Sequence, residues 1–278
     1  RRISVDRLPA VHGQAGRGRR PAQWSLGRSV EDGVRAARVV TESLILAAHG
    51  SADPRSAAVT HALAGRLRRL RPWLDVRAAF LEQCGPNLSD VLVDVGGRPG
   101  RTVVVPMLLA DAYHARVDIP VVIAASATVV TEADVLGEDP ALITVLGQRL
   151  TEAGESSSDR GLGVIVVAVG SSNEAANART ATVAPALAAR TEWAGVEVAF
   201  ATGPHPTVAE AAQRLRDRGA RRLVVAPWFL APGWITDRVA RSAATLGISM
   251  TAPLGAHNLV AATLLDRFDE TRSARAAA

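Results

Sequence analysis

Lysine is absent from this sequence, cysteine occurs once, and no apolar run approaches the length of a membrane span. Each gap removes a class of protein. The single Cys84 excludes an intrachain disulfide and any zinc or iron–sulfur centre built on cysteines. A spanning helix needs about 20 consecutive apolar residues, so none is expected although 48% of the residues are apolar. The first residues are Arg-rich and lack the apolar stretch of a secretory signal. A cytoplasmic protein is the expectation, with Arg1 leaving room for an upstream start. No Walker-type phosphate loop is present, so ATP is not implied. Neither Ser51 nor Ser171 sits in a G-x-S-x-G turn, which argues against a serine hydrolase.

The net charge is +5, and every basic residue is Arg. Residues 1–42 hold nine Arg against four acids, while residues 43–278 hold 23 of each. The excess therefore lies outside the part with a core pattern, and no basic balance remains there to follow a phosphate backbone. Neither nucleic acid nor a membrane is expected as a partner. Residues 1–42, with the cluster GQAGRGRRPAQW, cannot bury enough surface to offset the entropy of ordering. They read as a disordered basic tail with a short helix near Glu31 to Val40, whose removal is expected to leave activity and melting temperature nearly unchanged.

What is present begins with LILAAHGSADPR, Leu44 to Arg55. Five apolar residues run into His-Gly-Ser and then Pro54, which reads as a buried parallel strand ending at a polar loop. From there strands alternate with helices. Strands are expected at Leu44–Ala48, Val76–Leu81, Thr102–Leu109 and Thr128–Val130, with helices at Ser56–Leu70, Asn87–Val95, Ile119–Ala125 and Ala141–Ala153. A polar linker, GESSSDRG, covers residues 154–161. Beyond it come strands at Gly163–Ala168, Val196–Ala201, Leu223–Trp228 and Ile248–Ala252. Helices are expected at Glu174–Thr191, Thr207–Arg218, Ile235–Thr245 and Leu259–Phe268. The alternation predicts an α/β protein of two similar lobes, residues 43–154 and 162–272. Each is a doubly wound four-stranded parallel sheet flanked by helices.

The halves also repeat in sequence. LILAAHGS matches VIVVAVGS, and VRAAFLEQCGPN matches VEVAFATGPHPT, both at an offset of 120. RTVVVPMLLADAYH matches RRLVVAPWFLAPGWI at 121. A cleft between the lobes, faced by both sets of strand ends, is the natural place for a site. The first lobe ends its strands with His49, Glu82 and His114, where the second has Val169, Thr202 and Ile235. Two imidazoles and a carboxylate on three strand ends make an incomplete shell suited to iron, cobalt, nickel or zinc.

HGS after the first strand, FLE after the second and PMLLADAYHARVDIP after the third together resemble the sirohydrochlorin and cobalt chelatases of the CbiX and SirB type. The resemblance covers about residues 43–270. It implies a ferrochelatase-related fold and insertion of divalent iron or cobalt into a tetrapyrrole, in siroheme or cobalamin synthesis. By position it makes His49 and His114 the metal-handling histidines and Glu82 their acidic neighbour. One departure stands out, because the commoner family loop has Gly where this chain has Ala112. The C-terminal SARAAA predicts no metal-storage tail.

The implied chemistry strips water from the ion, delivers it to the macrocycle face and removes two pyrrole protons. Imidazoles hold a divalent ion only while deprotonated, so activity is expected to fall at acidic pH. Glu82 or a histidine can accept the pyrrole protons, and His49 is the favoured base. The metal is a substrate, Fe2+ or Co2+, and no permanently bound cofactor is expected. A polycarboxylate macrocycle wants Arg side chains and flat aromatic surfaces. Ser51, Arg55, Tyr113 and Arg116 are the candidate substrate groups, with Trp228 and Trp234 flanking the cleft. Asp118 is expected to cap a helix rather than bind metal. His12, His61, His205 and His257 read as structural or exposed. A non-catalytic tetrapyrrole or metal carrier on the same fold is the alternative, and a monomer and a homodimer both stay open.

Overall fold

In the computed structural model, which describes residues 42–276, strands and helices alternate along the chain. The expected tail, apart from Glu42, lies outside those residues together with its short helix and His12. The first half runs β1 (Ser43–Ala48), α1 (Pro54–Leu70), β2 (Asp75–Phe80), α2 (Leu88–Gly96), β3 (Thr102–Pro106), α3 (Ile119–Ala125), β4 (Val130–Glu132) and α4 (Pro140–Glu152). The second half opens with β5 (Leu162–Ala168), α5 (Glu174–Ala181), α6 (Val183–Ala188) and β6 (Gly195–Phe200). It continues with α7 (Val208–Asp217), β7 (Arg222–Pro227), α8 (Trp234–Thr245), β8 (Ser249–Met250) and α9 (Asn258–Ala276). Pairing is parallel throughout, in two separate four-stranded sheets ordered β2-β1-β3-β4 and β6-β5-β7-β8.

The helices start where local chemistry lets them. Asp53 accepts from the Arg55 N–H ahead of Pro54, and Asp139 does the same for Ala141 ahead of Pro140. Thr207 and Glu210 close a capping box on α7. The helix expected over Glu174–Thr191 is instead broken at Thr182. Pro185 explains the break, because its ring meets the carbonyl four residues back and it has no N–H to give. The last helix runs past its expected end, and β8 is shorter than the strand expected there.

The inner strands of both sheets are buried on both faces. Leu44, Leu46, Val76, Ala78, Val103 and Val105 point inward to a core shared with Val164, Val166, Val224 and Ala226 of the second sheet. Ile45, Ala47, Ala79 and Val104 point outward onto α2 and the start of α3. Ile165, Val167, Ala199 and Val225 point outward onto α7 and α8. Between the sheets lie α1, α4, α6 and α9, and two of these cross over. Helix α9, from the second half, packs on α1, α4 and β3, while α4, from the first, packs on α6 and β7. Arg267 of α9 fixes this exchange by donating to the Val135 and Leu136 carbonyls and to Asp139.

Candidate functional site

The strand order places the site. β1 lies between β2 and β3, and the chain leaves β1 and β3 on opposite sides of the sheet, which opens a crevice at their carboxyl ends. His49 follows β1 directly. Gly50 then takes φ +97°, and a Cβ on it would lie 1.9 Å from the Glu82 carbonyl oxygen. Only glycine fits that approach. It lets the Glu82 N–H donate to the His49 carbonyl at 3.1 Å, which ties the two loops together. Glu82 Oε1 consequently sits 3.4 Å from His49 Nε2.

His114 arrives from β3 on a π-helical turn, His114–Asp118, in which the Ile119 N–H donates to the His114 carbonyl. Asp118 makes no capping bond there. It does something else. Its Oδ2 lies 2.6 Å from His114 Nδ1, so the carboxylate orients the ring, contrary to the capping role expected for it. The His49 and His114 rings meet edge to face, with centroids 4.1 Å apart. His49 Nδ1 is 3.1 Å from the Gly50 carbonyl oxygen. A carbonyl and a carboxylate only accept, so each ring donates from Nδ1, which fixes the direction of its Nε2. At His49 that Nε2 faces the Glu82 oxygen, where a proton or a metal cation can join the two. Among the described residues no group of three or more His, Cys, Asp or Glu side chains is arranged to hold a metal ion. The donors are an imidazole pair with a carboxylate alongside.

These groups border a cleft of about 660 Å³ between the two sheets. On one wall stand His49, Ser51, Tyr113 and His114; on the other stand Val169, Trp234 and Ile235. Opposite the histidines the second wall presents open apolar side chains, Val169 41% exposed, Ile235 38% and Trp234 64%, while Ser171 and Asn177 line it farther along its loop and helix. Ser51 Oγ accepts from the Asp53 N–H, which holds the loop after His49. Tyr113 is exposed, its ring 6.0 Å from that of His114. Trp228 is buried core that also lines the cleft, and its Nε1 has no partner among the described residues.

Arg55 and Arg116 stand just outside this wall, each engaged by acids. Arg55 grips Asp53 and reaches across to Asp237 of α8, both at 2.6 Å. Arg116 holds Asp111 through two bonds, and Arg179 of α5 donates to the Asp111 carbonyl from the other side. Arg116 keeps the Asp111 carboxyl below its ordinary range. Two Arg–Asp straps thus cross between the halves beside the cleft, and their acids were not singled out in the sequence. The remaining histidines have other partners. His61 packs on Phe80, and His257 Nδ1 accepts from the Leu259 N–H. His205 binds Glu210 at 2.8 Å and helps hold that carboxyl down at about 2.

The profile of the CbiX family matches residues 43–153 and again residues 163–271. The chain belongs to the CbiX family. Its two matched stretches are the two halves of the fold, so one family unit occurs twice. Among relatives, the chain is 27% identical over 216 residues to a sirohydrochlorin cobaltochelatase of Priestia megaterium, covering 71% of this chain and 67% of that protein. It is 31% identical over 119 residues to the chloroplastic sirohydrochlorin ferrochelatase of Arabidopsis thaliana, covering 40% of this chain and 53% of that protein. Among solved structures, SirB from Bacillus subtilis with Fe3+ superposes with a TM-score of 0.71 at 22% identity, covering 84% of this chain and 96% of that one. That likeness establishes the shared fold. No helix among the described residues is long and apolar enough to cross a membrane.

Proposed function

We propose that this CbiX-family chain is an ATP-independent chelatase that inserts divalent iron or cobalt into sirohydrochlorin or a related tetrapyrrole, in siroheme or cobalamin synthesis in the cytoplasm. One observation carries this reading: two imidazoles, each anchored through Nδ1, stand together beside Glu82 on one wall of a cleft, opposite the apolar Val169, Trp234 and Ile235. A flat macrocycle fits between a metal-donating face and an apolar backing. His49 and His114 hold the incoming ion through Nε2 while Glu82 balances its charge. The incomplete shell leaves positions through which the macrocycle nitrogens take the ion over. Insertion releases two pyrrole protons, and His49 Nε2 and the Glu82 carboxylate are placed to receive them once the ion has moved.

The test is anaerobic incubation of the protein with sirohydrochlorin and ferrous or cobaltous ion, following the macrocycle absorbance against a protein-free control. Insertion well above the control, abolished in a folded His49→Ala, His114→Ala double variant, is the expected result. Full activity in that folded double variant would sink the two-histidine mechanism, and a wild-type protein that inserts no faster than the control would favour a carrier.

A further inference from the structure

The repeat supplies an internal comparison that isolates one more residue. Gln83 follows Glu82 with φ +62°, the one non-glycine residue with positive φ among those described. At the aligned place the second half has Gly203, at φ +70°. A Cβ on Gly203 would meet nothing within 4 Å, so glycine there answers the backbone conformation rather than crowding. Both halves need the left-handed turn. The half without the His–Glu–His set makes it with the residue that adopts it freely, and the half with the set uses a glutamine, which does not.

The strained side chain is occupied. Gln83 lines the cleft beside His49. Its Nε2 donates to Glu82 Oε1 at 3.1 Å, the same oxygen that lies 3.4 Å from His49 Nε2. Its Oε1 accepts from the Ala52 N–H at 3.2 Å, three residues beyond His49. One carboxamide therefore ties the Glu82 carboxylate to the backbone of the His49 loop. Resting on the chelatase reading above, we infer that Gln83 is a positioning residue for metal insertion, holding Glu82 against His49 at the expense of backbone strain. An exposed carboxylate without that tie samples several rotamers, and the pairing with His49 loses its definition.

Gln83→Gly, the change that copies the second half, separates this role from a structural one because the two predict opposite signs. Insertion at saturating substrates should fall about tenfold. Melting temperature should stay level or rise by about 2 °C, since the strain is released. The double variant Glu82→Gln, Gln83→Gly should be no slower than Glu82→Gln alone, because Gln83 acts through Glu82. Gln83→Glu, which sets a second negative charge beside Glu82, should lose at least as much activity as Gln83→Gly.

An active wild-type protein with an equally active Gln83→Gly variant overturns the role of Gln83 and leaves the chelatase reading standing. So does an additive loss in the double variant, or a loss of activity matched by a fall in melting temperature. A wild-type protein that inserts no metal overturns the chelatase reading and this inference with it.

Discussion

Asp118 Oδ2 stands 2.6 Å from His114 Nδ1 across a single π-helical turn. A ring held at Nδ1 presents Nε2 in a fixed direction, so in the proposed mechanism the ligand geometry at His114 depends on Asp118. Asp118→Ala should lower insertion roughly tenfold and raise the half-saturating metal concentration, with the circular dichroism unchanged. Asp118→Asn, which retains an accepting oxygen, should lose less. Equal rates for Asp118→Ala and wild type would show that His114 holds its orientation unaided.

The apolar wall opposite the histidines should act on the macrocycle alone. Trp234 is 64% exposed at the start of α8 and contributes little packing. Trp234→Ala should raise the half-saturating tetrapyrrole concentration several-fold. Metal dependence should not move, and melting temperature should shift by no more than about 2 °C. Steady-state titrations of each substrate at a saturating level of the other separate the two effects. A change confined to the metal titration would place Trp234 outside the macrocycle site.

The strap from Arg55 to Asp237 joins groups that are 48% and 39% exposed, so solvent and salt should weaken it. Asp237→Asn, which leaves the Arg55–Asp53 pair in place, should reduce melting temperature only slightly in dilute buffer, and the difference should vanish at about 1 M salt. Arg55→Gln should cost more, because it also unpairs Asp53, which is 5% exposed. Persistence of the Asp237→Asn difference at high salt would point to packing instead of a screened ion pair.

Burial pushes the Glu132 carboxyl at the end of β4 up to about 7, from an ordinary value of 4.5. The folded protein thus keeps a proton there that the unfolded chain releases above about pH 4.5. With more protons bound in the native state, stability at this site declines as pH rises from 4.5 through 7 and then levels off. Glu132→Gln should match wild type in thermal melts at pH 4, then gain on it steadily, with the largest advantage near pH 8. A constant difference across that range would mean that Glu132 stays ionised in the fold.

Much of this was legible in the sequence, for a physical reason. A parallel strand buried on both faces must be a short, continuous apolar run. His49, Glu82 and His114 were therefore visible as polar groups at strand ends, and the aligned Val169, Thr202 and Ile235 marked them as unusual. Less visible were contacts set by exact backbone shape. Asp118 before Ile-Pro looks like a cap because a π-turn has no distinct sequence pattern. Pro185 was in plain view, yet the apolar spacing on either side masked the break it causes. Gln83 reads as an ordinary loop residue until its φ is known. The straps from Arg55 to Asp237 and from Arg179 to Asp111 were hidden most deeply, because their partners meet only once the halves are packed. Pairings so distant along the chain leave no local trace.

The crossing of α4 and α9 has a consequence for what covalent linkage permits. If two identical units met around a two-fold axis, each exchanging its last helix with the other, every group on one wall of the cleft would be repeated on the other. A single flat guest would then face metal-donating side chains above and below, with no preferred side of entry. The linker at residues 154–161 removes that obligation. Joined in one chain, the halves keep the mutual embrace of their terminal helices while each wall is free to specialise. In the proposed mechanism the approach has a hand, with ion from one side and support from the other, which two identical units around a two-fold axis could not encode.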